Sequence, residues 1–310
     1  MGKGCANFVI CLSNTQYPIP NSQLLHLAKM TTSPTAQSRA IGKLTDLPWW
    51  LLIMLFSAVL MAFQLFTNAG YKTILDRLAQ GIATTLTVTL TAYPIALLIG
   101  LIAGLGRVSK NKVVYTIATL YVQIIRGIPI LVQLMFIAFV FSPMLVDAIN
   151  AIGVSITPVF GADNALAAMT PPDLSFTTRA IMALAVAYGG FEAETFRAGI
   201  ESLGKGQMEA ARALGLSYMQ AMRFVVLPQA IRRVLPPLGN DFISMLKDSS
   251  LVSVLGVGDV TNEARKYASA SFKYMETYVT LAFIYLSLTL SLSLILKGVE
   301  NRLNRGGRGA

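Results

Sequence analysis

Six stretches of this 310-residue chain are apolar over the length that a bilayer demands: 49–67, 82–105, 113–141, 179–200, 234–256 and 277–297. A hydrocarbon core about 30 Å thick is crossed by roughly 20 residues of α-helix, which satisfies its own backbone hydrogen bonds without water. Composition agrees: 54% of residues are hydrophobic and 13% charged, against about 25% charged in soluble domains. The expected fold is an all-α membrane protein of about six transmembrane helices. Trp49 and Trp50 suit an interfacial belt, and Gly100 and Gly104 form a small-residue face for helix packing.

The formal net charge of +10 follows the spans rather than any nucleic-acid patch. Arg39 and Lys43 precede the first span, and Arg107, Lys110 and Lys112 lie between the second and third. Lys205, Arg212, Arg223, Arg232 and Arg233 lie between the fourth and fifth, and Lys297, Arg302, Arg305 and Arg308 end the chain. The 142–178 segment holds Asp147, Asp163 and Asp173 and no basic residue, so it is the one sizeable external loop expected. The positive-inside bias then makes both termini and the 201–233 loop cytoplasmic. Cys5, Cys11 and His26 form neither a disulfide framework nor a metal site, and no histidine-based catalysis is supported. Residues 1–48 show no helical period and no signal-peptide pattern, and are expected to form a flexible cytoplasmic tail, dispensable before Met30.

The 201–233 loop is too structured to be a simple connector. Gln207 to Leu214 read as a short helix stopped by Gly215, whose missing Cβ permits the left-handed C-terminal position. Ser217 starts a second helix with Gln220 in capping-box spacing, and Pro228 is expected to close it. A folded polar element at a membrane exit implies a partner that docks there. Just before it, Gly199 to Gly206 nearly spells a phosphate-binding loop, but Gly206 stands where the Mg²⁺-ligating hydroxyl is needed and a membrane helix precedes it. The chain therefore does not hydrolyse ATP itself.

Polar residues inside the spans are the other candidates, because charge at membrane depth must face protein or water. Arg126-Gly127-Ile128-Pro129 interrupts the third span, leaving carbonyls near Gln123 to Ile125 without donors, with Gln133 one turn on. Glu194 and Arg197 are spaced to pair on one helix face, whereas Glu192 has no partner one turn away. In the fifth span Asn240, Ser244, Lys247 and Leu251 make one stripe, accompanied by Asp241 and Asp248. These residues either neutralise one another between helices or border a translocation path.

Four of these segments, in order, resemble the permease subunits of bacterial ABC importers of polar amino acids, over about residues 78–305. The run Glu209-Ala210-Ala211, Gly215, Val225, Leu227-Pro228 is similar to the EAA loop of that family; YVQIIRGIPILVQL, AETFRAGI and FISMLKDSSL resemble its other signatures, with Gln123 for the usual Glu and Ile128 for the usual Thr. The resemblance implies a type I ABC importer (MetI-like) fold, with 49–67 as an added N-terminal helix. It implies that Glu209, Ala210, Ala211, Gly215, Leu227 and Pro228 grip ABC ATPase subunits, which bind ATP and Mg²⁺; no cofactor is expected on this chain. A second permease chain, identical or homologous, and an external amino-acid-binding protein are the other implied partners, in a bacterial inner membrane. Arg126, Gln133, Glu192, Glu194, Asn240, Lys247 and Asp248 are the candidates for the substrate path or gate. The rival class is an ion-coupled secondary transporter or channel, which would favour inverted repeats that the sequence does not show.

Overall fold

The computed structural model describes residues 49–160, 165–203 and 205–305. The expected tail of residues 1–48 lies outside the described residues. The helices are α1 (Trp49–Thr67), α2 (Ala69–Ala79), α3 (Ile82–Val108), α4 (Lys112–Gly127), α5 (Ile130–Phe136), α6 (Ser142–Phe160), α7 (Phe176–Glu201), α8 (Lys205–Ala213), α9 (Tyr218–Ala221), α10 (Leu227–Asp248), α11 (Val260–Ser271) and α12 (Tyr274–Arg305). Among the described residues there is no strand. The chain divides at Leu60 into two units, the first contributing only the start of α1 to the described residues. The fold of the second unit follows.

Its centre is the pairing of α3 with α7, and small residues permit it. A Cβ on Gly100 would lie 2.4 Å from that of Glu192, and one on Gly104 would lie 2.9 Å from the Ala193 carbonyl. The backbones thus touch where any side chain would separate them. Val88, Ala92 and Ala96 of α3 meet Ala180, Leu184 and Tyr188 of α7, with Leu134 of α5 and Met245 of α10 closing the core. A smaller cluster joins Ile74 and Leu78 of α2 to Val260 and Ala264 of α11 and Ile284 of α12. The outer surface is apolar: Ile102 is 72% exposed and Leu294 71%. Water would make that surface costly, and lipid does not.

Three helical stretches meet the length and hydropathy of a membrane span: Ala69–Val108, Ile130–Thr157 and Tyr274–Arg302. The second corrects the expected 113–141 boundary and the expected external loop. The chain is extended at Ile128, restarts as α5 after Pro129, and runs through a π-helical turn (Ile137–Phe141) directly into α6. Residues 142–160 are therefore helix rather than loop. The π-turn lets Ser142 Oγ donate to the Ile137 carbonyl (2.7 Å) and keeps the helix continuous. Beyond it, buried Arg179 at the start of α7 donates to the carbonyls of Ala138, Leu174 and Pro171. That one side chain fastens the connection between α6 and α7 to the π-turn that follows α5.

Candidate functional site

The 205–228 element is built much as its sequence suggests. α8 stops at a Schellman turn in which Gly215 has φ +86°. Gly215 N–H donates to Arg212 (3.0 Å) and Leu216 N–H to Ala211 (3.2 Å), which satisfies two of the last carbonyls of α8. Ser217 and Gln220 form the capping box reciprocally: Ser217 N–H reaches Gln220 Oε1 at 2.9 Å, and Gln220 N–H reaches Ser217 Oγ at 3.3 Å. Ala211 and Ala221 are fully buried between the two helices, while Glu209, Ala210, Leu227 and Pro228 are exposed.

Pro228 does not close the second helix. α9 passes through a π-turn (Met222–Val226) into α10, and Pro228, the second residue of α10, sits just after that turn, where the helix runs on past a position with no backbone donor. The element is thus continuous with the helix that carries Asn240, Lys247 and Asp248. Gln229 Nε2 also donates to Gln207 (3.3 Å), and Arg233 donates to the Ser202 carbonyl, tying the start of α10 back to α8 and the end of α7. Three large apolar side chains stand out of this charged element: Leu214 is 85% exposed, Met219 70% and Phe224 66%. In the sequence their only signal is that large hydrophobic residues occur inside a basic loop.

The intramembrane candidates separate into distinct environments. Glu194 is a hub that accepts from Arg107 of α3 and from its own-helix neighbour Arg197, with Arg126 of α4 at 3.8 Å. Arg197 also pairs with Glu201. Three helices therefore converge on one carboxylate at the end of α7. Arg126 also lies over the Phe191 ring, 5.9 Å from its centroid. In sequence Arg107 is only a loop charge, since its partner is 87 residues away and no periodicity connects them.

Gln133 is buried and mends the break in the third span. Its Nε2 donates to the carbonyls of Ile125 (2.7 Å) and Ile128 (2.6 Å), which Pro129 and the extended Ile128 leave without helical donors. Glu192 is wholly buried against Gly100, and among the described residues neither carboxylate oxygen has a hydrogen-bond partner of good geometry, Tyr93 being the polar side chain that neighbours it. On α10, Asp248 accepts from Tyr188 (2.7 Å) and Asp241 from Thr195 (3.4 Å), so both carboxylates face α7. Asn240 and Lys247 are exposed on another side of α10. The structure thus brings Arg126 to Glu194, whereas Gln133 bonds to the backbone beside Arg126 and, among the described residues, Glu192, Asn240 and Lys247 make no ion pair with either. Among the described residues, no group of His, Cys, Asp and Glu could hold a metal ion.

Residues 96–305 match the family described as binding-protein-dependent transport system inner membrane component. The chain is 34% identical over 226 residues to the glutamine transport system permease protein GlnP of Escherichia coli K12, covering 73% of this chain and 92% of that one. It is 31% identical over 224 residues to the arginine transport system permease protein ArtQ of Bacillus subtilis, covering 72% and 91%. Among solved structures, an amino acid ABC transporter crystallised with histidines is similar at a TM-score of 0.59 and 36% identity, over 73% of this chain and 94% of that one. The inward-facing MetNI methionine ABC transporter shares the fold at a TM-score of 0.54 and 19% identity, over 74% and 98%.

Proposed function

The chain belongs to the family of binding-protein-dependent transport system inner membrane components, and from that premise we propose that it is the permease subunit of an ATP-driven importer of polar amino acids. It crosses the inner membrane and forms the translocation path. A separate ATPase subunit binds ATP and Mg²⁺ and docks on α8, the Gly215 turn and α9. A second permease chain completes the pore, and an external binding protein delivers the amino acid. Both termini and the 201–233 loop lie in the cytoplasm, in keeping with the basic residues there. An ion-coupled secondary transporter or channel is not favoured, since the relatives are permease subunits.

One observation carries the coupling role: the docking element runs into the membrane helix with no loop between them. α9, its π-turn and α10 are continuous helix, with Pro236 and Pro237 inside α10, so a displacement of α8 and α9 by the motor is passed into α10, which carries Asp241, Lys247 and Asp248. Glu209 contributes a negative charge on exposed α8, while Leu214, Met219 and Phe224 supply the apolar contact that a docked partner would bury. Arg126, Gln133, Glu192, Glu194, Asn240, Lys247 and Asp248 border or brace the path between these helices.

The test is accessibility. In a chain with Cys5 and Cys11 replaced by Ser, single cysteines at Ala213 and Met219 should react with impermeant maleimide from the cytoplasmic side, and be protected when the ATPase is co-expressed. Labelling from the outside would overturn the orientation and the coupling role together.

A further inference from the structure

Between them α3 and α4 hold an open apolar groove of about 440 Å³. Ile99, Ala103 and Gly106 line it from α3, and Val114, Ile117 and Tyr121 from α4. Small residues make its floor: a Cβ on Gly106 would come within 2.9 Å of Ala118, so the helices close there while larger neighbours stand out on either side. Tyr121 contributes only its ring, because its hydroxyl donates to the Val186 carbonyl (2.7 Å). From Val114 to Tyr121 the groove follows seven residues of helix, about 10 Å. That is roughly two-thirds of one leaflet's share of a ~30 Å hydrocarbon core.

At one end, near Gly106 and Val114, the groove meets the turn between α3 and α4, with Lys110 in the turn and Lys112 opening α4. Both are exposed, and neither has an ion-pair partner among the described residues. Local sequence offers none, since no Asp or Glu occurs between Asp76 and Asp147. The nearby Arg107 is already committed to Glu194. The vertical order is therefore uncompensated positive charge, then a narrow apolar channel running into the membrane. A second protein chain would have to bring both a carboxylate and a slender apolar element in that order. A phospholipid has them in that order already.

We propose that this groove is a binding site for an anionic phospholipid, with an acyl chain lying between α3 and α4 and its phosphate at Lys110 and Lys112. Each lysine near an anionic headgroup contributes about fivefold in affinity, so the pair selects an anionic over a zwitterionic lipid by about thirtyfold at low salt. Salt should erode that preference without altering occupancy of the groove by acyl chains in general.

The experiment uses the full chain with its two tryptophans, Trp49 and Trp50, changed to Phe and with Ile117→Trp as a reporter in the groove. It is reconstituted into phosphatidylcholine bilayers containing phosphatidylglycerol or phosphatidylcholine with brominated chains, and tryptophan quenching is titrated. The expected result is tighter quenching by brominated phosphatidylglycerol, by about thirtyfold, falling to parity in K110Q/K112Q while quenching by brominated phosphatidylcholine stays unchanged. Equal quenching by the two lipids in the parent chain would overturn the proposal, whatever the variant does. So would a preference that survives K110Q/K112Q. Absence of quenching by either lipid would mean that protein covers the groove, and would overturn it as well.

Discussion

Replacing Gly215 with Val isolates the coupling element from the rest of the molecule. A Cβ built on Gly215 meets no atom within 4 Å, so the site is open there and the cost argued for is that of the backbone φ of +86°. Holding a non-glycine residue in that region costs about 1–2 kcal/mol, with a β-branched residue at the upper end. That shifts the turn against its present form by about 5- to 30-fold. The hydrogen bonds from Gly215 to Arg212 and from Leu216 to Ala211 are what the shift breaks, and with them the fixed angle between α8 and α9. The spans have no part in this turn, so membrane insertion and expression should be unchanged. Amino-acid uptake and substrate-stimulated ATP hydrolysis in proteoliposomes of the reconstituted complex should both fall, by a factor in that same range. Gly215→Asn is the control, because Asn tolerates the left-handed region and should retain most of the activity. Normal uptake in Gly215→Val, or equal loss in Val and Asn, would refute the argument that the conformation of this turn couples motor to pore.

Other expectations follow from packing and from buried polar groups. Gln133→Leu should lower stability by about 1–3 kcal/mol, since two carbonyls at the chain break lose their donor; thermal unfolding in detergent measures it. Glu194→Gln should destabilise by about 1–3 kcal/mol, below the ~3–5 of a fully buried pair because the Glu194 side chain is 27% exposed; a loss no larger than in Glu201→Gln would contradict its role as hub. Gly100→Leu should impair folding, because the first added carbon already lies 2.4 Å from Glu192 Cβ; normal yield and melting would show that α3 and α7 separate easily. Hydrogen bonds from the Thr170 backbone and hydroxyl hold the Asp173 carboxyl below the usual carboxylate range. Its contribution to the 170–174 turn is therefore full above that range and lost as pH falls through the lowered value. The protection of the Thr170 amide against exchange, relative to its intrinsic rate at each pH, should be lost only in strong acid.

The membrane class, a short helix expected over 207–214 and observed over 205–213, the left-handed Gly215 and the Ser217–Gln220 cap are legible in the sequence because each depends on residues within one or two turns of helix. The Glu194–Arg197 pair was legible for the same reason. Pro228 was misplaced because proline is compatible with the end of one helix and the first turn of the next. Only the course of α10 decides between them. Likewise, residues 142–160 looked like a loop because a π-turn at 137–141, which has no composition signature, carries the helix onward. Contacts between distant segments were beyond local reading altogether. Arg107 reaches Glu194 across 87 residues, Tyr188 reaches Asp248 across 60, and Arg179 fastens the π-turn that follows α5 through Ala138. The sequence alone determined which residues are too polar to face lipid; the tertiary structure decided which of them meet, because that depends on how closely Gly100 and Gly104 let α3 approach α7.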